Sequence, residues 1–291
     1  MNKTVIVTGA SSGFGKLTAK TLFKSGLNVV ATMREVSGRN EQVASELKSL
    51  GPKLNVYELD VADTASVNTA AAKILSDHGA VDVVINNAGI GVRGLQEAFS
   101  VEDMQKVFEV NVYGPQRVNR AFLPSMRSKG DGLLIQLSST VGRFIVPYCG
   151  PYAMSKYAVE AMAESYRYEL ASTGVDSVIV EPGGFMTNFA GTAKWAEVPS
   201  ENIGYEKAAP VIKKMWGEII DYLESDEGPN PQLVADAILK LIETPKGERP
   251  LRTIVDTGDV SVIERMNKDV QALALRTMES LGLVGETGTT P

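Results

Sequence analysis

Tyr152 and Lys156 stand four residues apart in the run Tyr-Ala-Met-Ser-Lys. On a helix that spacing puts both side chains on one face, a turn apart. A phenol titrates near about pH 10, and an ammonium beside it lowers that value by stabilising phenolate. A phenol tuned this way can protonate a carbonyl oxygen, and its phenolate can take the proton back. Such pairs are also common on ordinary amphipathic helices, so position must decide between the two meanings. A second chemical signal lies near the start of the chain, where Gly9-Ala10-Ser11-Ser12-Gly13-Phe14-Gly15 follows an apolar run and opens a helical pattern. A strand, a glycine turn and a helix whose first amides point outward form a pyrophosphate site. Glycine allows the positive φ angles of such a turn and leaves no Cβ in the way of a phosphate. The spacing is Gly-x-x-x-Gly-x-Gly rather than Gly-x-Gly-x-x-Gly.

Other reactive residues carry less. Ser138 and Ser139 either terminate a strand or enter the chemistry. The chain has no Gly-x-Ser-x-Gly elbow at its serine pairs, which argues against a serine hydrolase. His78, the single histidine, sits in Asp77-His78-Gly79 and reads as a helix C-terminal cap. Cys149, the single cysteine, has no visible activating partner and reads as a small pocket or loop residue. One histidine and one cysteine make no convincing transition-metal cluster.

The elements that must position these groups follow from periodicity. Short β-branched runs stand at residues 4–8, 28–32, 55–59, 81–86, 133–138, 177–180 and 253–255, and most are near-continuously apolar, as in parallel strands buried on both faces. Helical stretches at 16–24, 42–50, 65–76, 104–126 and 152–171 lie between them. This alternation predicts an α/β fold, a single-domain, doubly wound parallel sheet of about seven strands with helices on both faces. Residues 185–230 show no clear strand, a length that suggests a substrate lid. Within it Ile212, Met215, Trp216, Ile219, Ile220 and Leu223 make one apolar helical face, packed on the core or lining a pocket. The domain is expected to span residues 1–258. Residues 259–291 then form a C-terminal helical extension with a frayed polar end at 285–291.

Composition sets the outer bounds. Apolar residues at 44% and charged residues at 22% exclude a disordered chain, a coiled coil and a collagen-like repeat. A net charge of −6, from 29 Lys+Arg and 35 Asp+Glu, argues against a broad nucleic-acid-binding surface. No run approaches the roughly 18 apolar residues of a membrane span. The first residues enter a strand directly and resemble no signal peptide. One cysteine cannot form an intramolecular disulfide, which fits a reducing compartment. The expectation is a soluble, cytoplasmic protein.

Thr8-Gly9-x-x-x-Gly13-x-Gly15 resembles the cofactor motif of the short-chain dehydrogenase/reductase family. The likeness continues in family order through Asp60-Val61, Asn86-Asn87-Ala88-Gly89, Asn111, Ser138-Ser139, Tyr152-x-x-x-Lys156 and Pro182-Gly183 with Thr187. It implies a Rossmann-type fold with a nicotinamide cofactor on Gly9, Ser11, Ser12, Gly13, Phe14, Gly15, Arg34, Asp60, Val61, Asn87, Ala88, Gly89, Tyr152, Lys156, Pro182, Gly183 and Thr187. It implies Ser139, rather than Ser138, as the group that orients the substrate oxygen. Lys156 would bond the ribose hydroxyls, and Asn111 would hold a water beside Lys156. The long helices at 104–126 and 152–171 would pair across a homodimer, or a homotetramer. By alignment with the family's second strand end, Met33 takes the acidic position of an NAD site and Arg34 follows it. A guanidinium there favours NADP(H), although Glu35 nearby keeps an NAD reading open.

The activity implied is NADP(H)-dependent hydride transfer to or from a hydrophobic ketone, aldehyde or secondary alcohol. The pattern is similar to steroid- and retinol-related and broad ketone (carbonyl) reductases. Lyase or epimerase chemistry, and a nucleotide-sensing regulator without catalysis, are the alternatives. Residues 91–93, Val141, residues 144–149 with Tyr148 and Cys149, then Phe185, Trp195, Met215 and Trp216 are expected to border an apolar pocket for that small substrate.

Overall fold

The computed structural model describes residues 3–283. Seven strands form one parallel sheet, in the spatial order Leu54–Glu58, Asn28–Met33, Thr4–Thr8, Val83–Asn86, Gly132–Leu137, Val175–Pro182 and Arg252–Val255. In chain order the elements are β1 (Thr4–Thr8), α1 (Gly13–Lys24), β2 (Asn28–Met33), α2 (Glu41–Lys48), β3 (Leu54–Glu58), α3 (Thr64–His78) and β4 (Val83–Asn86). They continue with β5 (Val92–Arg93), α4 (Val101–Phe108), α5 (Gly114–Lys129), β6 (Gly132–Leu137), α6 (Gly150–Glu169) and β7 (Val175–Pro182). The last are α7 (Asn188–Thr192), β8 (Lys194–Trp195), α8 (Ala208–Glu224), α9 (Gln232–Glu243), β9 (Arg252–Val255) and α10 (Ser261–Ser280).

The unbroken apolar runs are explained by burial on both faces. Side chains alternate across a strand. Val5 and Val7 enter the core under α1, α2 and α9, with Ala19, Leu22, Leu47, Val234 and Ile238. Ile6, between them, enters the opposite core under α3 and α5, with Ile74, Val118, Phe122 and Met126. β1 pairs with β2 on one side, Val5 opposite Val29, and with β4 on the other, Val5 opposite Val83. The chain first builds outward from β1 to β3, then returns to the far side of β1 and builds the other way. At this switch point the loops leaving β1 and β4 diverge and open a crevice at the C-terminal ends of the strands.

Three elements depart from the expected pattern. The helix expected at 104–126 starts earlier and is interrupted. Residues Glu109–Tyr113 form a π-helical turn between α4 and α5. The extra residue in that turn shifts the face that follows, a device frequent at functional sites. The segment expected to lack strands contains β8, which pairs in parallel with β5 in a separate two-stranded sheet. Two-residue strands are too short to show a period of two. On α8 only Ala209 and Ile212 are buried, while Met215, Trp216, Ile219, Ile220 and Leu223 are half-buried. The expected frayed stretch at 285–291 lies outside the described residues. Among those residues no helix is long and apolar enough to cross a membrane.

Candidate active site

Every strand end that meets the crevice delivers a motif. Gly9 and Gly13 both take positive φ, +67° and +52°. A Cβ on Gly15 would overlap the Gly9 carbonyl and the Asn87 amide, and one on Gly9 would come within 2.9 Å of Ala88 Cα. The turn is therefore all glycine at these points because the β4 loop packs directly beneath it. Asn87 Nδ2 donates to the carbonyls of Thr8 (2.7 Å) and Gly9 (3.2 Å). The Thr8 hydroxyl accepts from the amides of Asn87 (3.0 Å) and Ala88 (3.1 Å). Ser12 is the N-cap of α1, with extended backbone and no side-chain capping bond, and the first turn of α1 holds no acid. Helix-start amides with no side-chain cap beside a Cβ-free cradle suit a pyrophosphate, so the residues present fit a dinucleotide. Phe14, between the glycines, packs edge-on against Phe185 with centroids 5.5 Å apart.

The same crevice continues along β7. Gly183 donates to the Val255 carbonyl at 2.9 Å, and any side chain on it would strike the Asp256 carboxylate. Thr187, the N-cap of α7, stands against Gly13, where an added Cβ would lie 3.4 Å from Thr187 Cβ. Pro182 presents its carbonyl to Ser139 Oγ at 3.1 Å.

At the end of β6 the Ser139 hydroxyl also accepts from Val141 N at 3.3 Å, and it lies beside the Tyr152 phenol. Lys156 is buried one turn along α6. Its Nζ donates to the Leu137 carbonyl at 2.7 Å and lies 5.6 Å from the centre of the Tyr152 ring. Burial pulls Lys156 down to about 8, against the nearby Glu160 carboxylate, which raises it. Burial pushes the Tyr152 phenol above its ordinary value, and the neighbouring Ser139 hydroxyl opposes this only in part. This corrects the simple expectation from spacing: the ammonium lies over the ring and burial outweighs it. The pair of hydroxyls remains, both able to reach one oxygen atom.

Asn111 sits within the π-turn, with 2% of its surface exposed. Its Oδ1 accepts from Ile90 N (2.8 Å), and its Nδ2 donates to Ile90 O (2.9 Å) and Ser155 Oγ (3.0 Å). Ser155 Oγ in turn donates to the Tyr152 carbonyl at 2.7 Å. Asn111 thus ties the loop after β4 to the helix that bears Tyr152. Gly89 approaches it closely, since a Cβ there would lie 3.4 Å from Asn111 Oδ1.

At the adenosine end Met33 is buried, while Arg34 is half-exposed with its Nη1 3.8 Å from Asp60 Oδ2. Asp60 also accepts from Ala62 N at 2.9 Å, and Val61 packs on Gly114 at the start of α5. Glu35 adopts φ +52°, its amide donates to Glu58, and its carboxylate pairs with Arg39 at 3.2 Å.

The expected pocket residues separate into two groups. Tyr148 and Cys149 meet β5 through Gly94, which donates to the Tyr148 carbonyl at 2.9 Å and bridges to Cys149. Trp216 stacks on Arg93, whose guanidinium carbon lies 4.8 Å from the ring centre. Val141 and Met215 are half-buried. Phe185, in contrast, is buried in the core against Phe14, and Trp195 is exposed. Burial pushes the Cys149 thiol up to about 11, and its Sγ donates to the Val146 carbonyl at 3.1 Å, which makes it a poor nucleophile. His78 ends α3 and hydrogen-bonds Tyr57 at 2.8 Å. Phe189, which sequence reasoning missed, lies on the Tyr152 ring with centroids 5.4 Å apart. Ser155 was also missed, although its place between Tyr152 and Lys156 on one helix was a usable signal.

The chain matches the family model described as short chain dehydrogenase over residues 3–197. It is 34% identical to an uncharacterized oxidoreductase of Bacillus subtilis, covering 83% of this chain and 85% of that protein. It is 32% identical to the 3-ketodihydrosphingosine reductase of Bacteroides thetaiotaomicron (86% and 87% covered) and 34% identical to human retinol dehydrogenase 8 (86% and 80%). Among solved structures, a short-chain dehydrogenase from Streptomyces avermitilis superposes with TM-score 0.77 at 30% identity, covering 97% and 98% of the two chains. An alcohol dehydrogenase from Thermococcus sibiricus, complexed with 5-hydroxy-NADP, gives TM-score 0.69 at 28% identity (88% and 96%). The 3-ketoacyl-(acyl-carrier-protein) reductase of Brucella melitensis, complexed with NADH, gives 0.72 at 25% (88% and 97%).

Proposed function

From the premise that this chain belongs to the short-chain dehydrogenase family, we propose an NADP(H)-dependent oxidoreductase acting on a hydrophobic ketone, aldehyde or secondary alcohol. The observation that carries the reading is the Ser139 hydroxyl at the end of β6 beside the buried Tyr152 phenol, with buried Lys156 one turn further along α6. The nicotinamide supplies or accepts the hydride when bound. The chain supplies the rest. Ser139 and Tyr152 hold the substrate oxygen from two sides, which fixes its orientation. Tyr152 gives that oxygen a proton in the reductive direction and removes it in the oxidative one. Burial keeps the phenol protonated until the substrate oxygen gains negative charge, and the Lys156 ammonium stabilises the phenolate left behind. Asn111 holds the β4 loop and α6 in register, so Tyr152 and the glycine turn keep a fixed separation. Names of relatives such as 3-ketodihydrosphingosine reductase and retinol dehydrogenase support an apolar carbonyl or alcohol substrate. Oxidation of reduced cofactor over a ketone panel tests the reading. Cofactor binding by calorimetry with no turnover on any ketone or alcohol would replace it with a nucleotide sensor.

The NADP(H) preference is supported by the charges at the end of β2. Arg34 faces solvent there, Met33 offers no carboxylate, and Glu35 is committed to Arg39. A 2′-phosphate would gain charge-assisted hydrogen bonds from Arg34. Such bonds contribute about 1.5–3 kcal/mol, so kcat/KM should favour NADPH over NADH by about 10- to 100-fold. The double variant Met33→Asp/Arg34→Ala should reverse the order. An unchanged NADPH preference in that variant would exclude Arg34 as the reader of the phosphate.

We also propose a homodimer formed through α5 and α6. Tyr113, Met154 and Tyr157 are large apolar side chains left exposed on or beside these helices, which supports a covered face. Sedimentation at micromolar concentration should give a species of at least twice the monomer mass. Monomer alone would overturn the dimer.

A further inference from the structure

Two groups set the direction of the Ser139 hydroxyl. It accepts from Val141 N inside the turn Thr140–Gly142, which Ser139 caps, and it donates to the Pro182 carbonyl at the end of β7. Arg143 closes that turn, and Glu181 stands directly before Pro182. One side chain, Asn267 of α10, binds both. Arg143 Nε donates to Asn267 Oδ1 at 2.6 Å, and Asn267 Nδ2 donates to Glu181 Oε2 at 2.7 Å. Reversing the amide would set N–H against N–H and oxygen against oxygen, so the two bonds stand or fall together.

Packing alone does not account for this amide. Of the twenty residues of α10 only Ile263 and Asn267 are buried, while the apolar Val262, Val270 and Leu273 face solvent. A buried amide is costly unless both its ends are bonded, so its place here follows from its two partners. On another side the turn is already seated by contact. A Cβ on Gly142 would lie 2.7 Å from Ser138 Oγ and 3.1 Å from Glu160 Cγ of α6. Contact resists approach but not separation. The Asn267 bonds supply what contact lacks, a tie between the turn and β7.

Resting on the reading of Ser139 as the group that orients the substrate oxygen, we propose that Asn267 is a positioning residue for this hydroxyl. From the C-terminal helix it holds the turn after β6 against the end of β7, and so keeps the groups that aim Ser139 at a fixed separation. A hydroxyl has a single proton to offer. When the turn drifts from β7 that proton is no longer directed at the substrate oxygen, and the gain from orientation is lost.

The test is a double-mutant cycle. Asn267→Leu keeps the approximate side-chain volume and removes both bonds. It should lower kcat for ketone reduction by about tenfold, with cofactor affinity by calorimetry nearly unchanged. Ser139→Ala alone should cost about 10²–10³-fold in kcat. Adding Asn267→Leu to Ser139→Ala should cost little more, because no hydroxyl is left to aim. A helix that served stability alone would give losses that multiply, or none in kcat once urea denaturation has shown the variant to be folded. Arg143→Met breaks the tie from the turn and leaves the Asn267–Glu181 bond in place. It enters the same cycle and decides the matter should Asn267→Leu not fold. Multiplying losses, or an unchanged kcat in the folded single variant, overturn the positioning role and leave the reductase reading standing. Near-wild-type turnover in Ser139→Ala overturns both the reading of Ser139 and the role built on it.

Discussion

Tyr152→Phe should lower kcat/KM for carbonyl reduction by about 10²–10⁴-fold while leaving cofactor affinity nearly unchanged. The substitution removes one oxygen and keeps the ring that packs on Phe189, so the helix and the pocket wall survive. On the proposed mechanism, what is lost is the proton donor and one of the two hydroxyls that hold the substrate oxygen. Lys156→Ala should behave differently. It removes the ammonium that stabilises the phenolate and the Nζ bond to the Leu137 carbonyl, so turnover and cofactor affinity should fall together. Steady-state kinetics beside calorimetry with the reduced cofactor separates the two cases. Near-normal turnover in Tyr152→Phe would remove this residue from the proton transfer altogether.

The largest stability effect is expected from Arg252→Ala. The Arg252 side chain is 5% exposed and bonds Glu160 at 2.8 Å and Glu164 at 2.7 Å, with Glu181 at 3.6 Å. Glu160 on α6 and Glu181 on β7 are buried, and one oxygen of each has no hydrogen-bond partner. Burial already pushes both carboxyls up, Glu181 to about 7, with the Arg252 and Arg143 guanidiniums opposing. Asn267 of α10 bonds the second Glu181 oxygen at 2.7 Å and accepts from Arg143 at 2.6 Å, so the C-terminal helix is anchored in this cluster. Removing the central cation leaves buried acids without their main counter-charge, a loss of about 3–5 kcal/mol that urea denaturation would read. The pH dependence has a definite sign. An acid whose folded pKa exceeds its unfolded value of about 4.3 binds more protons when folded, so its penalty is full above the folded pKa and fades as pH falls below it. The deficit of Arg252→Ala should therefore shrink between about pH 8 and about pH 5.5. A loss under about 1 kcal/mol, or one independent of pH, would mean that the acids are not held by Arg252.

Local spacing made much of this legible. The strand periods, the glycine turn between β1 and α1, and the i,i+4 pair on α6 each depend on residues close in sequence, so a reading of the chain reaches them. The inner strands of the sheet fall where near-continuous apolar runs stand, because parallel strands covered on both faces need no polar side. The edge strands β3 and β9 are only partly buried and carry polar residues. The Ser139 assignment, by contrast, came from family resemblance. Its spacing from Tyr152 has no local meaning until β6 and α6 are packed together.

What sequence alone determined is the list of parts: a parallel α/β sheet, a cradle for a pyrophosphate, and a phenol with an ammonium one turn away. Tertiary structure decided how those parts act on one another. Inserting β4 beside β1 carries the Asn87 amide beneath the glycine turn, 79 residues away in the chain, and that contact makes Gly15 obligatory. A π-turn swings Asn111 onto Ile90 and onto Ser155, 44 residues further on. β9 brings Arg252 to Glu160 across 92 residues, and α7 lays Phe189 on Tyr152. Burial then set the protonation of Tyr152 and Lys156 more strongly than their spacing did. The reason is that desolvation and hydrogen-bond partners belong to the packed environment, which no short stretch of residues encodes by itself.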